Sequence, residues 1–222
     1  MIVVHHLNNS RSQRILWLLE ELGLEYEIKR YQRDAKTMLA PPELKAVHPL
    51  GKSPVITDGD TVVAESGAIV EYLTARENNR LVPAAGTPAR LRYTHFLHYA
   101  EGSLMPPLLL KLVFDKVESS PMPFFVKPVA RAIAHKVKGT FVLPQIALHL
   151  GYLEAELGKH PWFTGEEFTA ADIQLSFPLE AAASRGGLDA KYPNLVDFLA
   201  RIHARPAYRR ALERGGEYAY AS

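Results

Sequence analysis

Cysteine does not occur in this 222-residue chain. Its absence removes disulfides, zinc-thiolate centres and any cysteine nucleophile. Thiol chemistry here would have to use a thiol carried in by a bound co-substrate. No run of 18 apolar residues occurs either, so no membrane-spanning helix is expected. The opening MIVVHHL lacks a basic segment followed by an apolar stretch of signal-peptide length and reads as a strand; the expected location is the cytoplasm. Charge of one sign is also scarce: 26 Lys and Arg face 24 Asp and Glu, a formal net charge of +2. So small an excess gives no large field to attract nucleic acid, although the sequence pI of about 8.7 is mildly basic. Histidine is plentiful but scattered. His5 and His6 sit in the strand, where neighbours point to opposite faces, and His95 and His98 share a helix face with no third ligand, so no metal site is expected.

What is present is a chain 47% hydrophobic, enough for two small domains, each with its own core. Residues 2 to 6 form a short apolar strand. Ile15, Leu18, Leu19 and Leu22 then recur on one face of a helix that Gly23 ends, and Tyr26 to Tyr31 reads as the next strand. An irregular stretch with Ala40-Pro41-Pro42-Glu43 leads to a hairpin and another helix. The order β-α-β-α-β-β-α is that of a thioredoxin-like α/β domain, expected over residues 1–78. Residues 79–88, ending Ala84-Ala85-Gly86-Thr87-Pro88, break the periodicity and read as a linker. Strand signals then disappear, and residues 89–222 read as an all-α domain. Ala89 to Glu118 and Val129 to Leu157 are long helical stretches, with kinks or breaks expected at Pro106-Pro107 and Pro144. Thr169 and Asp172 have the spacing of a capping box opening a further helix, with Phe168 placed to staple onto Ile173.

The most informative segment is HPLGKSPVITDGDTVVAESGAIVEY, His48 to Tyr72. Pro54 stands before the β-rich Val55-Ile56-Thr57, where it removes a ladder donor. A cis Ser53-Pro54 bond would resolve this and leave the Ser53 backbone free to pair with an extended, peptide-like ligand. Asp58-Gly59-Asp60 has hairpin-turn chemistry, and Thr61 to Ala64 is the second strand. Ser66 then falls at a helix N-terminus, whose backbone N–H groups and dipole suit a carboxylate, and Glu65 beside it suits an ammonium group. A free α-amino acid end carries both groups on one carbon and fits that pair.

These residues, in this order, resemble the glutathione transferase family. SRSQRILWLLEELGLEYEI, PPELKAVHPLGKSPVI, AESGAIVEYL, YAEGSLMPPL and FTAADIQLSFPL carry the likeness along the whole chain, which is most similar to a serine-type branch found in bacteria and fungi. The resemblance implies glutathione as co-substrate, a thioredoxin-like domain joined to an all-helical one, and a homodimer. It also implies that the turn before the cis-proline holds the cysteinyl backbone and that the Glu65-Ser66 pair holds the γ-glutamyl end.

A thiol with a pKa near 8.5 is only a few per cent thiolate at neutral pH. Lowering that pKa by about two units requires about 2.7 kcal/mol. One hydrogen bond to a charged acceptor contributes about 1.5–3 kcal/mol and a helix N-terminus about 0.3–1, so one hydroxyl at a helix start suffices. Ser10 has the family's serine-to-arginine spacing to Arg14; Asn9 and Ser12 are the alternatives, and Ser10 is also placed to cap the helix. No tyrosine occurs in the first strand or the loop after it. Lys52 either reaches the glycyl carboxylate or is a solvated lysine; the His-Lys pair that plant members often carry is replaced here by Leu39-Ala40. Glu101 either crosses a dimer interface to the neighbour's γ-glutamyl ammonium or is a solvated helix residue. Met105, Pro106, Leu109, Phe114 and Phe177 are the candidate lining of an apolar acceptor pocket between the domains, or else core. The activity implied is transfer of glutathione to small hydrophobic electrophiles. Glutathione-dependent peroxide or disulfide reduction uses the same thiolate, and a non-catalytic binding protein on the same fold is a third reading.

Overall fold

The structure, a computed structural model, describes residues 1–37 and 39–221. Its first half runs β1 (Ile2–Leu7), α1 (Ser12–Leu22), β2 (Tyr26–Tyr31), α2 (Glu43–Val47), β3 (Val55–Asp58), β4 (Thr61–Ala64) and α3 (Ser66–Arg76). The four strands form one sheet in the order β2-β1-β3-β4. β1 is parallel to β2, with Ile2 opposite Tyr26, and antiparallel to β3, with His5 opposite Val55. β3 and β4 pair antiparallel across the expected Asp58-Gly59-Asp60 turn, where Gly59 has φ 60°.

Alternation along β1 divides the core. Ile2 and Val4 pack with Ile15, Leu18, Leu19, Ile69 and Leu73 from α1 and α3, whereas Leu7 turns to the other face against Tyr31 and Leu44 of α2. α1 ends at Gly23 in the left-handed region (φ 67°), as its position after the last apolar repeat predicts.

The second half is helical throughout: α4 (Pro88–Tyr99), α5 (Met105–Ser119), α6 (Lys127–Val137), α7 (Leu143–Leu157), α8 (Ala170–Arg185), α9 (Pro193–Ala204) and α10 (Pro206–Gly215). The prolines expected to kink or break the long helices each follow a widened turn. A π-helical turn, Ala100–Leu104, joins α4 to α5 just before Pro106-Pro107, and another, Lys138–Val142, joins α6 to α7 just before Pro144. Proline has no N–H, and its ring crowds the carbonyl four residues back. Widening the preceding turn accommodates both effects without ending the helix.

Pro178 lies inside α8 and deprives the Gln174 carbonyl of its helical donor. Arg14 supplies the replacement, donating from Nη1 to Gln174 O at 2.6 Å. The capping box is formed: Asp172 Oδ2 accepts from the Thr169 N–H at 2.8 Å, and Asp172 Oδ1 accepts from the Phe163 N–H at 3.0 Å. Phe168 stands against Trp17 and Trp162, 5.7 and 5.0 Å between ring centres. Among the described residues, no helix is long and apolar enough to cross a membrane, and no group of three His, Cys, Asp or Glu is placed to hold a metal.

Candidate functional site

The loop from β1 to α1 and the turn before β3 meet at Ser10 and Ser53. Ser10 is buried and serves the helix start: its Oγ accepts from the Ser12 N–H at 3.2 Å and its carbonyl accepts from the Gln13 N–H at 3.2 Å. The same Oγ lies 3.5 Å from Ser53 Oγ. The Ser53-Pro54 bond is cis, and Ser53 Oγ donates to the His5 carbonyl at 2.9 Å, fixing the turn to β1.

The alternatives to Ser10 are engaged elsewhere. Ser12 is fully buried, with its Oγ 2.7 Å from Ser10 Oγ and 2.9 Å from His6 Nδ1. Asn9 adopts φ 49°, and its Oδ1 accepts from the Ala219 N–H at 2.8 Å.

The second group of predicted residues gathers around Arg14, one helical turn after Ser10. Ser66 opens α3 and is buried; its Oγ accepts from Arg14 Nη2 at 2.7 Å. Glu65 precedes it at φ 70°, a conformation uncommon for a residue with a side chain, and is exposed. Arg14 Nη2 also binds the Glu101 carboxylate, which takes two further bonds of 2.9 Å from Arg11 Nε. Within its own chain the Glu101 carboxylate is thus tied to two arginines, and its side chain stays 32% exposed. The π-helical turn that carries Glu101, together with Pro178 freeing the Gln174 carbonyl, makes Arg14 the joint between the two halves of the chain.

Burial sets the electrostatics here. It pulls the pKa of Arg14 below its ordinary value, and the Glu101 charge opposes that pull. Burial works against the Glu101 carboxylate too, but Arg14 and Arg11 outweigh it and hold its pKa below the usual range.

The expected acceptor-pocket residues do not converge. Met105 is buried in the main core, Pro106 and Leu109 are exposed on α5, and Phe114 is half-buried. Pro106 and Leu109, three apart, share the exposed side of α5, whereas Phe114 lies about opposite Met105 around the helix. Phe177 does approach the site: the Arg11 guanidinium lies 5.1 Å from its ring centre, and Tyr220 meets it edge-on at 5.6 Å. Lys52 is exposed beside Ser53, and Leu39, in the place of the family's basic pair, is also exposed.

Sequence reasoning missed the C-terminal tail. Tyr218 donates to buried Glu180 at 2.6 Å, Tyr220 accepts from Arg185 at 2.8 Å, and Ala219 reaches Asn9. The alternating aromatics of Tyr218-Ala219-Tyr220 were the available signal. A cavity of about 210 Å³ lies beneath this tail, lined by His6, Asn8, Asn9, Arg30 and Gly215 to Glu217 among others; its lining does not include Ser53 or Ser66.

Known proteins share this architecture. Residues 1–75 match the sequence profile of the glutathione S-transferase N-terminal domain, and residues 139–206 match that of the C-terminal domain. Glutathione S-transferase 3 of Schizosaccharomyces pombe is 39% identical over 217 residues, covering 96% of this chain and 88% of that protein. The disulfide-bond oxidoreductase YfcG of Escherichia coli is 28% identical, covering 96% and 94%. The crystal structure of a glutathione S-transferase from Actinobacillus pleuropneumoniae superposes with a TM-score of 0.83 at 38% identity, covering 100% of this chain and 96% of that one. Likeness of sequence and of fold over nearly the full length establishes that this chain belongs to the glutathione S-transferase family.

Proposed function

We propose that this protein binds glutathione, stabilises its thiolate with the Ser10 hydroxyl and directs it at small hydrophobic electrophiles. The observation that carries this reading is the placing of Ser10 Oγ 3.5 Å from Ser53 Oγ, beside the cis Ser53-Pro54 turn. A cysteinyl unit paired with the Ser53 backbone would bring its sulfur within reach of Ser10. Ser66 and the exposed Glu65 then take the carboxylate and ammonium of the γ-glutamyl end, and Lys52 is the cation nearest in sequence for the glycyl carboxylate. Arg14 holds Ser66 in place through one hydrogen bond, with Glu101 behind it. Phe177 and the tail aromatics offer the apolar wall for the acceptor. In this reading residues 1–78 form the glutathione-binding domain, 79–88 the linker and 89–222 the helical domain of a cytoplasmic homodimer.

The test follows the ultraviolet absorbance of the bound thiolate against pH. Ser10→Ala should raise the pKa of bound glutathione by about one to two units, the loss of one charge-assisted hydrogen bond. An unmoved curve in Ser10→Ala, with a moved one in Asn9→Ala or Ser12→Ala, would reassign the sulfur donor. Calorimetry should show much weaker glutathione binding in Ser66→Ala and Glu65→Ala, and unchanged affinity in both would sink the site. Glutathione-dependent reduction is favoured by one observation, the relative named as a disulfide-bond oxidoreductase. Product analysis separates the readings, because transfer yields a thioether and reduction yields oxidised glutathione.

A further inference from the structure

A line of three polar groups runs from β1 to Ser10. His6 Nδ1 lies 2.9 Å from Ser12 Oγ, and Ser12 Oγ lies 2.7 Å from Ser10 Oγ. All three residues are buried, with relative exposures of 4%, 0% and 4%. At these separations each contact needs one proton between its atoms, since two facing lone pairs would repel. Each hydroxyl has a single proton to give. The line therefore has two directions.

In the first, Ser10 donates to Ser12 and Ser12 donates to His6 Nδ1. The ring proton is then on Nε2, and the Gly215 backbone beside the ring offers an acceptor. In the second, His6 Nδ1–H donates to Ser12, Ser12 donates to Ser10, and the Ser10 proton is released to point elsewhere. The Leu7 carbonyl, 3.4 Å from Ser12 Oγ, lies beyond the usual O–H···O range and is the weaker acceptor. Were Ser12 to donate there, it would accept from both His6 Nδ1–H and Ser10, and the Ser10 proton would still be held in the 2.7 Å contact.

We infer that His6 is a positioning residue for thiolate formation, because Ser10 can donate to the glutathione sulfur only while His6 carries a proton on Nδ1. This rests on the reading of Ser10 as sulfur donor. Proton balance follows the line. The thiol proton passes to Ser10 Oγ, the Ser10 proton to Ser12 Oγ and the Ser12 proton to His6 Nδ1, while the Nε2 proton leaves to water through the cavity that His6, Asn8, Arg30 and Glu217 line. Sulfur becomes a thiolate and the ring remains neutral.

The groups facing the ring favour neutrality. Burial first, then Arg30 across the β1–β2 pair, hold its pKa down to about 4, and the Gly215 backbone offsets this only in part. The charge-assisted bond to sulfur is stronger than the neutral bond to Gly215 that the ring gives up, and this drives the change of tautomer.

Nitrogen NMR of the full chain with labelled histidine tests this, His6 being assigned through bonds. Without ligand the Nδ1 signal should be that of a bare ring nitrogen. Saturating glutathione, above the pH at which the bound thiol ionises, should move Nδ1 to the position of a protonated nitrogen and Nε2 the opposite way. S-methylglutathione, which has no thiolate to offer, should move neither. Ser12→Ala should still bind glutathione while His6 no longer responds. A thiolate that depends on Ser10 but leaves both His6 signals in place overturns the inference, as does an equal shift with S-methylglutathione. Glutathione bound with no thiolate that Ser10→Ala diminishes overturns the proposed function and this inference together.

Discussion

Replacing Glu101 by glutamine removes one negative charge and little volume from the joint between the two halves of the chain. The Arg14 side chain is 1% exposed and the Glu101 side chain 32%. A fully buried pair loses about 3–5 kcal/mol when one partner is removed, and an exposed pair contributes about 0–1. The half-open position of Glu101, together with the amide oxygen that Gln keeps as an acceptor, puts the cost at about 2 kcal/mol. In a chain of this length that lowers the melting temperature by about 4–8 °C. Arg14 also holds Ser66, so glutathione should bind about tenfold more weakly, a loss of about 1.4 kcal/mol. The pH dependence gives an independent signature. Because the folded pKa of Glu101 is depressed, the pair's contribution is fully present above the unfolded value near 4.3 and is lost as pH falls through the folded value. The assay is urea unfolding of parent and Glu101→Gln from pH 7 down to pH 3, with calorimetry of glutathione binding at pH 7. The stability gap should be widest at neutral pH and close in acid. A variant with the parent's midpoint at pH 7, or a gap that does not change with pH, would refute the reasoning.

Asp172→Ala should destabilise the chain by about 2–4 kcal/mol, because the Thr169 and Phe163 N–H groups lose their buried acceptor; urea unfolding reads this directly. Burial pushes the Asp172 carboxyl up to about 6, so its titration adds stability below the unfolded pKa near 3.9, and that stability is lost as pH rises through about 6. Asp172→Asn should lack this dependence. Gly186→Ala places a methyl group 2.7 Å from Ala182 Cα and from Leu108 Cδ2; it should cost about 1–3 kcal/mol through overpacking, and an unchanged melting temperature would contradict the packing of α8 on α5. The homodimer is checked by analytical ultracentrifugation at micromolar concentration: a species near the chain mass of 24.8 kDa under all conditions would exclude it.

The sequence determined what depends on near neighbours. The end of α1 at Gly23, the hairpin at Asp58-Gly59-Asp60 and the Thr169–Asp172 capping box each involve residues within four positions of one another. Local dihedral preference and local hydrogen bonding suffice to specify them. Family likeness added Ser10, Ser53, Glu65 and Ser66 as a set. Tertiary structure decided which distant groups meet. Arg14 reaches Gln174 across 160 positions and Glu101 across 87, and the tail returns to Asn9 across 210. Glu101 was therefore legible as a charged helix residue but not as the partner of Arg14, and nothing in the local pattern marked Pro178 as the reason a carbonyl is left for a guanidinium. The apolar run from Met105 to Phe114 read as one surface, whereas packing turned Met105 into the core and Leu109 to solvent. Periodicity records which residues avoid water; only the packed chain decides which buried polar groups are left to find each other.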